Sequence, residues 1–144
     1  MDAHFSERIV SKIEAAKIQL DAAIRAYHQN EDIVAITLAG ASEEILGKIC
    51  KARGIENAVE KIAKLEPLCQ KFDSQNKCID HYNDVRNNLK HAGDGIDKDF
   101  VIADLDAFFM IARALGNAGL LGIVDTEMMA RFRNNEFIKE IKGE

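Results

Sequence analysis

Apolar side chains recur every three or four residues through most of this chain, which is the spacing of α-helices rather than β-strands. From Ser6 to Gln29 they alternate steps of four and three, with Ile9 near the start, and such a seam packs against neighbouring helices. This segment is therefore predicted to be the first helix. A polar break at Asn30–Asp32 supplies an acidic cap for a second helix, which is predicted from Ile33 to Arg53 and ends at Gly54.

The second predicted helix combines small and large apolar residues. Ala35, Ala39 and Gly40 are small enough for a neighbouring helix to approach closely, while Leu38 and Ile45 are large enough to fill a core. This combination predicts that the second helix lies at the centre of the fold.

Polar residues with capping chemistry mark the starts of four further helices. Asn57 followed by Glu60 resembles a capping box, which begins a short third helix that ends before Pro67. The other candidate caps are Asp73 or Ser74, Asp97 or Asp99, and Asp125 or Thr126.

These elements predict an all-α protein, an up-and-down bundle of five to six helices that needs no strands. Its core is predicted to include Leu38, Ile45, Ile49, Val85, Leu89, Leu105 and Phe108. The fifth helix is predicted to bury a stripe made of Val101, Leu105, Phe108, Ala112 and Leu115. The chain after it is predicted to be loosened by Gly116, Gly119 and Gly122.

With 144 residues, of which 47% are hydrophobic, the chain is long enough for one domain with a substantial core. We expect a single domain over residues 1–144, with a short tail at 134–144 that either frays or packs on a partner. The longest apolar run, Ile33 to Ala41, is too short to cross a membrane, and the N-terminus lacks signal-peptide character. Three cysteines without CxxC spacing fit a reducing cytoplasm better than a disulfide framework.

The fourth predicted helix carries the most concentrated chemistry, in the stretch DHYNDVRNNLKHAGDG at residues 80–95. Its polar face collects Asn83, Arg86, Asn87, Lys90 and His91. Since residues four apart are neighbours on a helix, these side chains can converge on one ligand-sized patch. Gly93 is a C-cap signal, which predicts an exposed helix end at His91. The net charge of −5 argues against a broad nucleic-acid binder and requires a local concentration of positive charge for any anion site.

Other residue patterns point only weakly to chemistry. Cys69, Cys78 and His81 are zinc-ligand types, but a fourth ligand is missing and buried reduced cysteines are common. A di-iron bundle needs paired Glu-x-x-His motifs, which this sequence lacks. We therefore expect neither a metal nor another cofactor.

The segment RNNLKH, from Arg86 to His91, resembles the R-x(4–6)-H signature of the HEPN superfamily of small all-helical proteins. Asn87 is the polar residue type that the family prefers after the arginine. The preceding long helix, with sequence AITLAGASEEILGK, resembles the matching helix of many small bacterial HEPN proteins. The resemblance spans about Ala22 to Leu121, and it departs from some HEPN toxins, which carry a tyrosine where this chain has Gly93.

The resemblance implies metal-independent RNA cleavage by a homodimer whose two motifs face each other across a shared cleft. In such a site His91 takes a proton from a ribose 2′-hydroxyl, and its copy in the other subunit protonates the leaving 5′-oxygen. Arg86 would hold the scissile phosphate and Asn87 would orient the reacting groups. Lys90 would add positive charge, and Glu44 of the second helix could position Arg86. A toxin-like RNase of this kind is also expected to have an antitoxin or nucleotidyltransferase partner.

Three alternatives to the nuclease hypothesis remain open. The first is a non-catalytic HEPN-like module that binds a nucleotide or a protein partner, and the second is a plain helical dimerisation unit. In the simplest case, Arg86, Asn87 and His91 only satisfy one another and the carbonyl groups at the helix end. Three aspartates soon after His91 would repel a phosphate backbone unless the loop turns away.

Overall fold

Helix α2, Asp32–Ala52, packs along both α1, Lys12–His28, and α6, Asp106–Leu120, in the computed structural model. The shorter helices are α3 (Ala58–Ala63), α4 (Gln75–Tyr82), α5 (Asp84–Lys90) and α7 (Glu127–Arg131), followed by a π-helical turn at Phe132–Glu136. The structure describes residues 5–64, 72–91 and 99–136, and these contain no strand. The predictions of an all-α bundle and of a central second helix are confirmed.

Seven α-helices lie within those ranges rather than five to six, because the fourth predicted helix is divided in two. None of the helices in these ranges has the length and apolar character needed to span a lipid bilayer. Of the tail predicted at 134–144, residues 137–144 lie outside the described part of the chain.

Several helices begin or end where the capping residues in the sequence predicted. The Asn57 side chain accepts a hydrogen bond from the Glu60 backbone at 3.0 Å, and the Glu60 carboxylate accepts one from the Asn57 backbone at 3.4 Å. Ser74 caps α4 and Thr126 caps α7 through the same kind of side-chain acceptance. Gly54 follows α2 with φ +73°, a left-handed conformation that glycine adopts without strain.

The predicted start of the first helix at Ser6 is wrong. Ser11 has extended backbone angles, and its side chain accepts a hydrogen bond from the Glu14 backbone at 3.0 Å. This cap makes Lys12 the first helical residue, so residues 5–10 precede the helix and are exposed. Ile9, assigned to the packing seam by its spacing, is fully exposed.

The fifth predicted helix begins later than expected, at Asp106 in α6. Val101 and Leu105 precede it and are exposed, so the predicted stripe keeps only its later members at the buried face. The Asp106 carboxylate accepts a hydrogen bond from the Ala103 backbone at 2.6 Å, which closes the turn before the helix. The predicted glycine-loosened region is also wrong in part, because Gly116 and Gly119 lie inside the continuous helix and only Gly122 follows it.

The buried core differs in membership from the predicted one. Of that set only Phe108 is buried, whereas Leu105 is exposed and the other five side chains are half-buried. The largest side chains that are completely buried include Leu20, Ile24, Ile36, Leu46, Ile111, Met129 and Phe132. Burial of each of these side chains away from water contributes roughly 1.5–3 kcal/mol to the free energy of folding. Five of the seven come from α1, α2 and α6, and the other two from α7 and the π-helical turn, so the long helices supply most of the hydrophobic stabilisation.

The cysteines are not all reduced thiols, contrary to the expectation from their number and spacing. Cys78 is buried and takes part in a disulfide. Cys50 is free and buried, and its burial raises the pKa of the thiol.

Candidate functional site

Arg86, the first residue of the motif, points into the protein rather than onto the predicted polar patch. It is buried, with 9% of its surface exposed. Its aliphatic stem crosses α2 at Gly40, where an added Cβ atom would lie 2.7 Å from both Cγ and Cδ of Arg86. A glycine at that position therefore creates the path by which the guanidinium enters the interior.

The guanidinium of Arg86 pairs with Glu43 of α2. Arg86 Nη1 lies 2.6 Å from Glu43 Oε2, and the other carboxylate oxygen, Oε1, lies 2.9 Å from Nη2 of Arg113 on α6. Glu43 and Arg113 are buried as well, at 3% and 6% exposure. These three side chains form a buried ion cluster that joins α2, α5 and α6.

Arg113 also accounts for the division of the predicted fourth helix. Its Nη1 donates to the backbone oxygen of Tyr82 at 3.0 Å, and its Nη2 donates to the side-chain oxygen of Asn83 at 2.6 Å. Tyr82 is the last residue of α4 and Asn83 lies between α4 and α5. The guanidinium thus holds the junction at which α5 begins, and this fixes the direction in which α5 presents its C-terminal end.

The buried ion cluster contains two guanidiniums for one carboxylate. Burial lowers the pKa of the Arg113 guanidinium, while the charge of Glu43 opposes that shift. The Nε atoms of Arg86 and Arg113 are buried without a hydrogen-bond partner among the described residues. Removing the shared carboxylate would leave both cations uncompensated, so Glu43 is the residue on which the cluster depends.

Asn117, one turn after Arg113 on α6, extends this polar network and is completely buried. Its side-chain nitrogen donates to the backbone oxygen of Glu43 at 3.1 Å, and its side-chain oxygen accepts from the backbone of Ala58 at 2.7 Å. The Ala58 N–H lies in the first turn of α3, where the helix itself supplies no acceptor, and the Glu43 carbonyl gains a second hydrogen bond beside its helical one. Asn117 therefore ties α6 to α2 and to the start of α3.

Sequence reasoning missed Glu43, Arg113 and Asn117. The signal was present in α6, where Arg113 and Asn117 lie four residues apart in a stretch that is otherwise apolar or glycine, from Ala107 to Leu120. Polar residues at such a spacing share the buried helix face and require partners on neighbouring helices. Glu43 could not be distinguished from the sequence, because the adjacent Glu44 was an equally suitable partner for Arg86.

Glu44 does not position Arg86, which corrects the predicted role. Its carboxylate lies 2.7 Å from Nζ of Lys90 and 3.4 Å from Nζ of Lys48, near the surface. Consecutive side chains on a helix point about 100° apart. Glu43 therefore points inward to Arg86, whereas Glu44 meets Lys90 near the surface. The hydrogen bond from Lys90 lowers the pKa of Glu44, against a smaller opposing effect of burial.

Asn87 and His91 are both exposed at the end of α5. The His91 backbone donates to the Asn87 oxygen at 2.9 Å, and His91 itself has an extended backbone conformation that ends the helix after Lys90. Gly93, the predicted helix terminator, lies outside the described residues. Arg86 directs its guanidinium to Glu43 of α2, so it does not pair with Asn87 or His91.

The five predicted site residues are therefore divided between two environments. Lys90, Asn87 and His91 share the exposed C-terminal end of α5, and Glu44 pairs with the first of them. Arg86 lies one turn before Lys90, where its side chain is buried against α2. Lys90, Asn87 and His91 can contact a ligand directly. Arg86 can affect such a ligand only by fixing the position of α5.

Within the described ranges, no group of three or more His, Cys, Asp or Glu side chains is arranged to hold a metal ion. Of the residues weighed as zinc ligands, Cys69 lies outside those ranges and Cys78 is in a disulfide. The ring of His81 instead lies 5.2 Å from the ring of Phe72, centroid to centroid.

Comparison with known proteins finds no matching family model, no similar curated protein and no similar solved structure. The resemblance to the HEPN superfamily rests on the motif residues and on the helices that carry them.

Proposed function

We propose that this protein is a metal-independent endoribonuclease of the HEPN type, with His91 as its acid–base residue. The observation that carries the proposal is an exposed imidazole at the end of α5, beside Lys90 and one turn after Asn87, on a helix anchored by buried ion pairs. The core does not use these three side chains. Histidine is suited to proton transfer near neutral pH because its unperturbed pKa lies close to that range.

In the proposed reaction His91 removes the proton from a ribose 2′-hydroxyl. The 2′-oxygen forms a bond to phosphorus, the bond from phosphorus to the 5′-oxygen breaks, and a second imidazole protonates that leaving oxygen. The products are a 2′,3′-cyclic phosphate and a free 5′-hydroxyl. Lys90 supplies positive charge to the phosphate, and Asn87 is placed to hydrogen-bond the substrate.

Arg86 takes a different role in this proposal from the phosphate clamp that the motif implies. Its Nη1 is engaged by Glu43, and its stem is enclosed against Gly40. We assign it as a positioning residue that holds α5 on α2, so that Asn87 and His91 keep their separation and direction. The positive charge nearest to the substrate then comes from Lys90.

The second imidazole is proposed to come from a second copy of the chain, because one motif contains a single histidine. An exposed apolar patch formed by Phe100, Val101, Leu105 and Phe109 supports such a dimer. Ile102, in the same segment as the patch, and Leu89 of α5 both pack against one small core cluster. The patch is therefore close to the helix that carries His91. Burying this patch would bring two copies of α5 towards each other.

A second candidate function is a non-catalytic module that binds a nucleotide. The pairing of Arg86 with Glu43 favours it, because the residue expected to clamp a reacting phosphate is already occupied. Lys90 and Asn87 would then hold a phosphate without cleaving it.

The experiment is incubation of the purified protein with tRNA and a structured RNA in excess EDTA. Replacing His91 by alanine should lower the cleavage rate by about 100- to 10,000-fold. His28→Ala, at another exposed histidine that ends a helix, should leave the rate unchanged, and circular dichroism should show equal helicity for all three proteins. Light scattering at tens of micromolar should give the mass of a dimer.

Equal cleavage by His91→Ala and wild type would contradict the nuclease proposal, and so would intact RNA in every reaction. In the second case a thermal shift with nucleotides that is lost on Lys90→Ala would support the binding module instead. A strict monomer would remove the two-histidine mechanism.

A further inference from the structure

A groove of about 390 Å³ lies between α1, α2 and the end of α5. Its rim carries lysines from three different helices, and its floor is apolar. The lining residues are Lys12, Ala41, Glu44, Ile45, Lys48, Ile49 and Lys90. Lys90 is the residue before His91, so the groove adjoins the proposed cleavage site.

The rim of the groove is positively charged, in a chain whose net charge is −5. Lys48 and Lys90 share the single carboxylate of Glu44, at 3.4 and 2.7 Å. Lys12, the first residue of α1, has no carboxylate partner among the described residues. Three ammonium groups for one carboxylate give the local concentration of positive charge that an anion requires here.

The floor of the groove is a strip of half-buried apolar side chains along α2. Ala41, Ile45 and Ile49 are spaced by four residues, so they lie in one row, and Glu44 and Lys48 form the neighbouring row. An apolar strip bordered by lysines complements a ligand that has a flat apolar part and a negative part. An unstacked nucleotide has both, in its base and its phosphate.

We propose that this groove holds the RNA strand next to the cleavage site, with one base on the strip and the adjoining phosphates on Lys12 and Lys48. The inference rests on the proposed function, and it adds that the substrate is single-stranded on this side. A volume of about 390 Å³ is near the lower end of ligand pockets, which are roughly 300–1,000 Å³, and suits one nucleotide at a time. Lys90 connects the groove to His91.

The test measures binding separately from cleavage. The probe is a fluorescently labelled ten-residue oligouridylate with 2′-O-methyl groups, which has no 2′-hydroxyl and is not cleaved. Its affinity is measured by anisotropy in EDTA over a range of salt concentrations. The variant is the double change Lys12→Ala and Lys48→Ala. The control is Lys64→Ala and Lys77→Ala, which removes the same charge from surface ion pairs elsewhere.

The groove variant should bind the probe about tenfold more weakly at physiological salt. The log–log slope of its affinity against salt should fall by roughly 0.7 for each phosphate that the protein no longer neutralises. The control should bind like wild type. In cleavage assays the groove variant should have a higher KM for long single-stranded RNA, while its rate on a dinucleotide stays unchanged because a dinucleotide does not reach the groove.

Equal loss of affinity in the variant and the control would overturn the groove as an RNA path. Uridine monophosphate that binds as tightly as the ten-residue probe, and depends on the same lysines, would overturn it in favour of a free-nucleotide site. Lysine-dependent binding of the probe without RNA cleavage by wild type would support the groove and contradict the nuclease proposal. The failures of the two proposals are therefore distinguishable.

Discussion

Gly40 of α2 lies directly beneath the side chain of Arg86 on α5, and a Cβ atom there would approach Cγ and Cδ of that arginine to 2.7 Å. Real Cβ atoms are essentially never this close to other heavy atoms, so one of the two side chains would have to move. The arginine stem cannot shift freely, because its guanidinium is held by Glu43 at 2.6 Å. The close approach of these two residues couples the packing of α5 on α2 to the buried ion cluster.

We therefore predict that Gly40→Ala lowers the free energy of unfolding by about 1–3 kcal/mol, the usual cost of overpacking a close contact. The control is Gly119→Ala, where the nearest atom to the added Cβ is 3.8 Å away. Since alanine favours helix over glycine by up to about 1 kcal/mol, the control should be neutral or stabilising. Urea denaturation of both variants gives the comparison, and equal stability would contradict the close-packing argument.

Glu43 and Glu44 are adjacent glutamates with different roles, and this allows a matched test of the buried ion cluster. Glu43→Gln removes the carboxylate shared by two buried guanidiniums and should cost about 3–5 kcal/mol of unfolding free energy. Glu44→Gln, with a side chain that is 31% exposed, should cost no more than about 1 kcal/mol. Urea is preferred to guanidinium chloride as the denaturant, because guanidinium chloride is a salt and would screen the exposed ion pair of Glu44. Losses of similar size in both variants would contradict the argument that the fold depends on the buried carboxylate more than on the exposed one.

The pKa of Glu44 should depend on Lys90. The hydrogen bond from this lysine is the largest cause of the lowered pKa, so Lys90→Ala should raise the pKa of Glu44 towards its ordinary value of 4.5. Carbon-13 NMR titration of the side-chain carboxyl measures the change directly. Since the folded-state pKa lies below the ordinary value, the contribution of Glu44 to stability is present above about pH 4.5 and is lost as the pH falls through the folded-state pKa. An unchanged titration in the variant would mean that Lys90 does not make this contact in solution.

Asn117 should be among the polar residues whose loss is most costly. Asn117→Ala removes the 2.7 Å acceptor of the Ala58 N–H, which has no helical partner, and the 3.1 Å bond that links α6 to the Glu43 carbonyl. The unsatisfied N–H costs about 1–3 kcal/mol, and a domain of this size loses roughly 2–4 °C of melting temperature per kcal/mol. The control is Asn88→Ala, which removes an exposed hydrogen bond to the Asp84 backbone and should have little effect on melting. Similar melting temperatures for the two variants would contradict the bridging role.

Helix ends in this protein were predictable where capping chemistry decides them within a few residues. The Asn57–Glu60 box, the threonine cap of α7 and the glycine after α2 involve contacts no more than three residues apart. The same reasoning failed at α1 and α6 because apolar spacing continued through residues that do not pack. Ile9 and Val101 match the helical period, yet nothing in the periodicity shows that the bundle ends before it reaches them.

The all-α class, the central second helix and the exposed end of α5 that carries His91 could be predicted from the sequence, because they depend on local periodicity and polarity. The direction of the Arg86 side chain, by contrast, depends on how the helices pack. A guanidinium enters a protein interior only when a carboxylate is available there to neutralise it, and that carboxylate belongs to another helix. Whether Glu43 or Glu44 supplies it depends on how α2, α5 and α6 pack, and on the space left by Gly40. The information is distributed over residues more than forty positions apart in the chain, such as Glu43 and Arg86, so a motif of six consecutive residues could not contain it.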